Sequence, residues 1–314
     1  MSDAQTSRSG SARLVPDRLR QRIIRWAVTE PAVITTIIDR LAQPGAMDAT
    51  TRTLIEPLVR VFANDLASRP GEPHSAWLVG AISRAFEALY APAEAHGEPP
   101  PAPVRRTIVD QFHRLYYHAD PHPWERTFYR GYRILKLPSD LWIYRSLLDE
   151  LRPSLVIETG TRFGGSALWL ADQLELLGHG QVVTVDIEEL PNRPEHERIT
   201  YLTGSSTDPA LRARILDLLP DDGGHVLVVL DSDHGRDHVL AELRTLSGLV
   251  TPGSYILVED TNINGHPVLP NFGPGPMEAV NEFLAETTSF DVDRTREMFY
   301  FTMHPNGFLQ RRPG

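Results

Sequence analysis

Between Leu155 and Glu259 short apolar runs alternate with helix-patterned stretches. That alternation is the mark of βαβ units laid into a parallel sheet. The runs Leu155–Glu158, Gln181–Asp186, Arg198–Thr203, His225–Asp231 and Ser254–Glu259 are the expected strands. Gly165–Leu177, Pro209–Leu219 and Val239–Leu249 are the helices between them. His225–Asp231 is apolar almost throughout, as a central parallel strand buried on both faces should be. After a long loop, Thr261–Pro276, come a helix Met277–Thr287 and three short closing strands, Phe290–Asp293, Met298–Met303 and Phe308–Gln310. The fold class expected is therefore α/β, a doubly wound and mostly parallel sheet.

The region before this sheet reads differently. Residues 1–14 are polar and Ser-rich, an expected disordered tail. Residues 15–100 carry apolar residues at three-to-four spacing, with candidate helices Arg18–Ala27, Pro31–Leu41, Thr51–Leu66 and Ser75–Leu89. The Pro-rich break Ala91–Pro103 marks the boundary of a main domain over 101–314. That domain opens with a helix Val104–Tyr117, an aromatic and basic segment His118–Pro138, and a helix Asp140–Leu151 capped by Ser139 or Asp140.

Composition narrows the chemistry. The 314 residues carry a formal net charge of −10, which argues against a nucleic-acid partner. No apolar stretch approaches the ~20 residues that span a bilayer. The first residues show no secretion signal, so the cytoplasm is the expected location. Cysteine is absent, so any metal here takes oxygen or nitrogen ligands, which favours Mg²⁺ or a similarly hard cation. Lys136 is the only lysine, beside thirty arginines, a bias that genomic base composition would explain.

Two signals fall at the carboxyl edge of the expected sheet, where open α/β folds place their ligands. The first is VIETGTRFGGSA (Val156–Ala167), whose Gly160, Gly164 and Gly165 let backbone approach a ligand, with Thr161 and Ser166 in the same turn. It is neither a G-x-G-x-x-G nor a phosphate-binding P-loop. Asp186 ends the next strand about 20 residues on, where an acid takes a ribose hydroxyl pair. Glu158 would repel a pyrophosphate but suit the ammonium of an amino-acid-bearing cofactor, which points to S-adenosylmethionine. Ser205 and Ser206 of GSSTDP seat the adenine edge, or Thr207 or Asp208 merely caps the helix at Pro209. The second signal is LDSDH (Leu230–His234) with VEDTN (Val258–Asn262). Asp231, Asp233, Glu259 and Asp260 clustered without a counter-ion would push each other's pKa up, a cost that Mg²⁺ removes. Asp231 would also reach the cofactor. His234, three residues after it, suits a general base.

In LKLPSDLWIY (Leu135–Tyr144), IETGTRFGGSALWLA (Ile157–Ala171), ITYLTGSSTDP (Ile199–Pro209), VLDSDHGRDHVLAEL (Val229–Leu243) and SYILVEDTNINGHP (Ser254–Pro267), the chain resembles the cephalosporin hydroxylase and rhamnosyl O-methyltransferase family. The resemblance spans roughly Thr127 to Leu309. It implies a class I, Rossmann-like methyltransferase fold using S-adenosylmethionine and Mg²⁺ or Mn²⁺. It implies transfer to a hydroxyl of a small-molecule glycoside, such as a rhamnose-type deoxysugar, in natural-product biosynthesis, by a homo-oligomer. Asp231, Glu259 and Asp260 would then be the metal ligands and His234 the base, with Asp233 the alternative base. Two other readings stay open: a catechol or β-lactam type acceptor, and a cofactor-binding subunit that supports a partner enzyme.

Overall fold

The structure, a computed structural model, describes residues 102–313, so the expectations for the 1–14 tail, the 15–100 helices and the boundary at 91–101 lie outside the described residues. The unit that carries the fold is His113–Gly314.

The first described helix, α1, is Ala102–His118. A two-stranded hairpin, β1 (Phe128–Tyr129) and β2 (Tyr132–Arg133), leads into α2 (Pro138–Leu151). The main sheet follows: β3 (Leu155–Thr159), α3 (Gly165–Leu177), β4 (Gln181–Asp186), β5 (Ile199–Thr203), α4 (Pro209–Leu216), β6 (Val226–Leu230), α5 (Arg236–Leu246), β7 (Tyr255–Val258), α6 (Pro276–Glu286), β8 (Phe290–Val292) and β9 (Phe308–Arg311). The strand order is β5-β4-β3-β6-β7-β9-β8, with β9 antiparallel to both its neighbours and β3 to β7 parallel. This is the doubly wound, mostly parallel sheet expected. No helix among the described residues is long and apolar enough to cross a membrane.

Why the central strands read as unbroken apolar runs is plain from the two cores. Ile157, Val228 and Ile256 point to one face, against Leu243 of α5 and Val280 of α6. Val156, Val229 and Leu257 point to the other, against Leu147 of α2 and Leu170 of α3. A strand covered on both sides has no polar face to show.

The local expectations need three corrections. Met298–Met303 is no strand: Arg294–Glu297 forms a short 3-10 helix, anchored by Asp293, whose carboxylate accepts from Thr295 N at 3.0 Å. Neither Ser139 nor Asp140 caps α2, because Pro138 sits in its first turn, and the Asp140 side chain turns instead to Met303 N at 2.9 Å. The helix expected over Val239–Leu249 starts earlier, at Arg236, and its last turn is the 3-10 segment Ser247–Leu249. Asp208 does cap α4, accepting from Ala210 N at 2.8 Å.

The winding reverses between β3 and β6, and the crevice there is closed by two backbones in contact. Gly160 follows β3 with φ +88°, and a Cβ built on it would lie 1.8 Å from the Asp231 carbonyl oxygen. Gly160→Ala therefore meets both a left-handed backbone and a fixed carbonyl. It should cost roughly 1–3 kcal/mol or more in a urea melt; a variant as stable as the parent would show that the crevice can open.

Candidate active site

Strand periodicity sets the site. In β3, Glu158 shares its face with Val156; one residue past β6, Asp231 shares its face with Val229; one past β7, Glu259 shares its face with Leu257. All three acids therefore face α2 and α3 at the carboxyl ends of adjacent strands. Left alone there, the buried Glu158 and the half-buried Asp231 would be pushed toward taking up protons.

The group that meets them is Lys136. It is 3% exposed, and its Nζ lies 2.5 Å from Asp231 Oδ2 and 2.5 Å from Glu259 Oε1. Burial works against its ammonium, but the charges of Asp231, Glu259 and Glu158 outweigh burial and hold its pKa above the ordinary lysine value. The segment from the hairpin brings it there by crossing the start of α3 at close range: a Cβ on Gly165 would lie 2.2 Å from the Arg133 carbonyl oxygen.

Behind Lys136 the polar chain continues. Tyr144 of α2 donates to Glu259 Oε1 at 2.7 Å and lies 3.3 Å from His304 Nε2. His304 Nε2 is also 3.3 Å from Asp140 Oδ2, and its Nδ1 accepts from Asp260 N at 3.3 Å. Burial lowers the His304 pKa and raises those of Asp140 and Tyr144. Asp260 itself has φ +53°. Left-handed backbone is uncommon for a non-glycine residue and costs of order 1–3 kcal/mol, though Asp is among the side chains that tolerate it best. Its carboxylate reaches His234 Nε2 at 3.2 Å. One ligand atom each from Asp231, His234 and Asp260 lies within 4.8 Å of the others, spacing suited to a metal ion. Burial pulls the His234 pKa down, but Asp260, Asp231 and Glu259 outweigh it and hold it above the ordinary histidine value.

A cleft of about 590 Å³ runs along this edge. Gly160, Thr161, Ser166, Asp186, Ser206, Asp231, Asp233, His234 and Asp260 line it; Glu158, Gly164, Ser205 and Glu259 do not. Glu158 lies behind the wall, 1% exposed, accepting from Thr184 at 2.7 Å, and Thr184 in turn meets Thr161 at 2.7 Å. Burial, offset in part by Lys136, Ser166 and Thr184, raises its pKa to about 7. Gly164 caps α3 with a left-handed backbone. Ser205 is turned to the Thr207 hydroxyl at 2.9 Å. Asp186 accepts from Arg162 N at 2.7 Å and from Glu188 N at 3.0 Å, which fixes its carboxylate at the cleft. Asp233 is exposed and accepts from Gly235 N at 2.6 Å.

Sequence reasoning missed Lys136, Asp140, Tyr144 and His304, and also His238, which lines the cleft 3.1 Å from Ser232 Oγ and 3.3 Å from Ser206 Oγ. One signal was available for the first three: all lie within Leu135–Tyr144.

Replacing Lys136 by Met would leave Glu158, Asp231 and Glu259 without their cation and raise the native-state pKa values of Glu158 and Asp231. A carboxylate whose native pKa exceeds its unfolded one binds a proton more tightly when folded. Stability is then lost as pH rises from the unfolded value to the native one. For Glu158 that interval already runs from 4.5 to about 7. In chelator, Lys136→Met should thus show a deficit that is small near pH 5 and grows to about 3–5 kcal/mol at pH 8. Urea melts across pH measure it, and a deficit that does not vary with pH would remove the electrostatic role.

Known proteins are similar to this chain in sequence. The family description Rhamnosyl O-methyltransferase/CmcI matches residues 122–312. The rhamnosyl O-methyltransferase of Mycobacterium tuberculosis is 43% identical over 210 residues, 65% of this chain and 85% of its own length. That of Mycobacterium leprae is 42% identical over 211 residues, 66% and 91% of the two chains. A solved CmcI chain with Mg and SAM is 22% identical, covering 60% of this chain and 77% of its own, with a TM-score of 0.46. The chain belongs to the rhamnosyl O-methyltransferase/CmcI family and is an S-adenosylmethionine-dependent O-methyltransferase of the class I fold.

Proposed function

We propose that this chain methylates a hydroxyl of a deoxysugar in a small-molecule glycoside, in natural-product biosynthesis, with a divalent cation, Mg²⁺ or Mn²⁺, at the site. The observation that carries the reading is the convergence of Asp231, His234 and Asp260 at the cleft, beside the glycine turn. The relatives named for rhamnosyl O-methylation support the sugar acceptor.

The donor set fits a hard cation. Asp231 and Asp260 offer carboxylate oxygens at the cleft, and Glu259, the third proposed ligand, lies outside their grouping with Oε1 engaged by Lys136 and Tyr144. Three carboxylates less one ammonium leave two negative charges, which a divalent ion cancels. Such an ion would act as a Lewis acid on the acceptor hydroxyl. The chain's own residues do the rest. Gly160, Thr161 and Ser166 would seat the cofactor, with Asp186 taking the ribose hydroxyls and Ser206 lying toward the base. When bound, S-adenosylmethionine would supply an already activated methyl, so the work left to these residues would be largely positioning. His234, held through an Nε2–H that donates to Asp260, would take the hydroxyl proton on its other ring nitrogen, Nδ1, as the methyl passes from sulfur to the acceptor oxygen. Asp233 is the alternative base, one residue earlier.

The test is methyl transfer to a synthetic rhamnoside, with a catechol as comparator. EDTA should abolish transfer, Mg²⁺ or Mn²⁺ should restore it, and the far-ultraviolet circular dichroism should stay constant. Full activity in excess chelator would dismiss the metal, and preference for the catechol would dismiss the sugar. His234→Ala should lower kcat by on the order of 10²–10⁴-fold while S-adenosylmethionine affinity, measured by calorimetry, holds. An inactive Asp233→Asn beside an active His234→Ala would pass the proton to Asp233.

A further inference from the structure

The turn that carries the acidic pair is stitched to a stretch far along the chain. Val258 N donates to the Gly307 carbonyl at 2.8 Å, the Thr261 hydroxyl to the Pro305 carbonyl at 2.7 Å, and Asn262 N to the Met303 carbonyl at 3.3 Å. Between these sits the single contact made by a side chain of that stretch to the turn's backbone, Asp260 N to His304 Nδ1 at 3.3 Å.

That contact dictates a tautomer. An Nδ1 that accepts from an amide carries no proton, so the ring's hydrogen is on Nε2. Nε2 faces Asp140 Oδ2 at 3.3 Å, and the same oxygen accepts from Met303 N at 2.9 Å. Asp140 thus fixes both the backbone before the ring and the ring itself. His304 and Asp140 are 2% and 1% exposed, so water does not compete for these partners.

We propose that His304, held by Asp140, is a positioning residue for Asp260. By accepting from its amide it keeps Asp260 at φ +53°, the conformation that aims the carboxylate at His234 and at the space shared with Asp231. The proposal rests on the metal and base roles given above. Its reach is longer than a packing role: the ring does not line the cleft, yet it sets where a cleft carboxylate points.

Asn and Gln separate the two nitrogens. His304→Asn places an oxygen where Nδ1 was and keeps the acceptor for Asp260 N. His304→Gln keeps a polar group toward Asp140 and loses that acceptor. Both variants are made in the full chain. Amide exchange at Asp260 is read by mass spectrometry in EDTA, and Mn²⁺ and S-adenosylmethionine affinities by calorimetry. For His304→Gln the expectation is Asp260 exchange and Mn²⁺ dissociation constant each raised about tenfold. S-adenosylmethionine affinity should hold, and kcat should fall with KM for the cofactor unchanged. His304→Asn should stay near the parent in all five. Parental exchange in His304→Gln, or equal damage in both variants, overturns the proposal. A parent that binds no Mn²⁺ would sink the metal reading instead, and the exchange arm would still decide whether His304 governs Asp260.

Discussion

Everything at the carboxyl edge depends on one buried ammonium. Parallel strands in register put Asp231 and Glu259 side by side, with Glu158 two residues back on the next strand, all on one face of the sheet. Removing an ionised carboxylate from water costs several kcal/mol even after the protein relaxes. Lys136, itself 3% exposed, answers two of the three directly and the third through its field. An ammonium has three donors, and two are committed here, which locks the two carboxylates at fixed angles. The pair is poor evidence for stability as such, since apolar residues of the same shape would serve the core as well. It makes better sense as a way to keep charge concentrated where a cation and a hydroxyl must meet.

How the lysine gets there is a matter of backbone clearance. Arg133 to Leu137 runs across the amino end of α3, and the crossing is possible because residue 165 has no side chain. Gly160 gives the same clearance between the ends of β3 and β6. The glycine turn thus has two loads: it exposes backbone toward the cleft, and it admits the chain segment that neutralises the acids beneath.

Much of this was legible in the residues. The alternation of runs gave the sheet, and the acids at strand ends marked its functional edge. The period of two would even have placed Glu158, Asp231 and Glu259 on a common face, had the strand ends been known to one residue. What could not be read was the long-range part. Lys136 and Asp231 are 95 positions apart, and nothing local announces that they touch. Asp140 looked like a helix cap because Ser and Asp before an apolar-periodic stretch usually are; Pro138 in the first turn of α2 freed it for another partner. Glu158 was read as facing a cofactor ammonium, and the cation acting on it is the chain's own Lys136. His304 sits where a closing strand had been expected to end, and a single histidine there carries no local signal.

The same strand end also feeds a second polar group on the opposite side of the sheet. Asp231 turns toward Lys136, while its neighbour Ser232 turns the other way and donates to Glu242 of α5 at 2.7 Å. Glu242 is fully buried, its second oxygen has no partner among the described residues, and its first lies 3.5 Å from His238 Nε2. Hydrogen bonding to Glu242 outweighs burial and raises the His238 pKa. Two consecutive residues after β6 therefore anchor two charged networks, one on each face of the sheet, and the cleft runs between them. Alternation along an extended chain is enough to produce this: the step from Asp231 to Ser232 is one residue, and it changes the face, the partner and the part of the cleft being served.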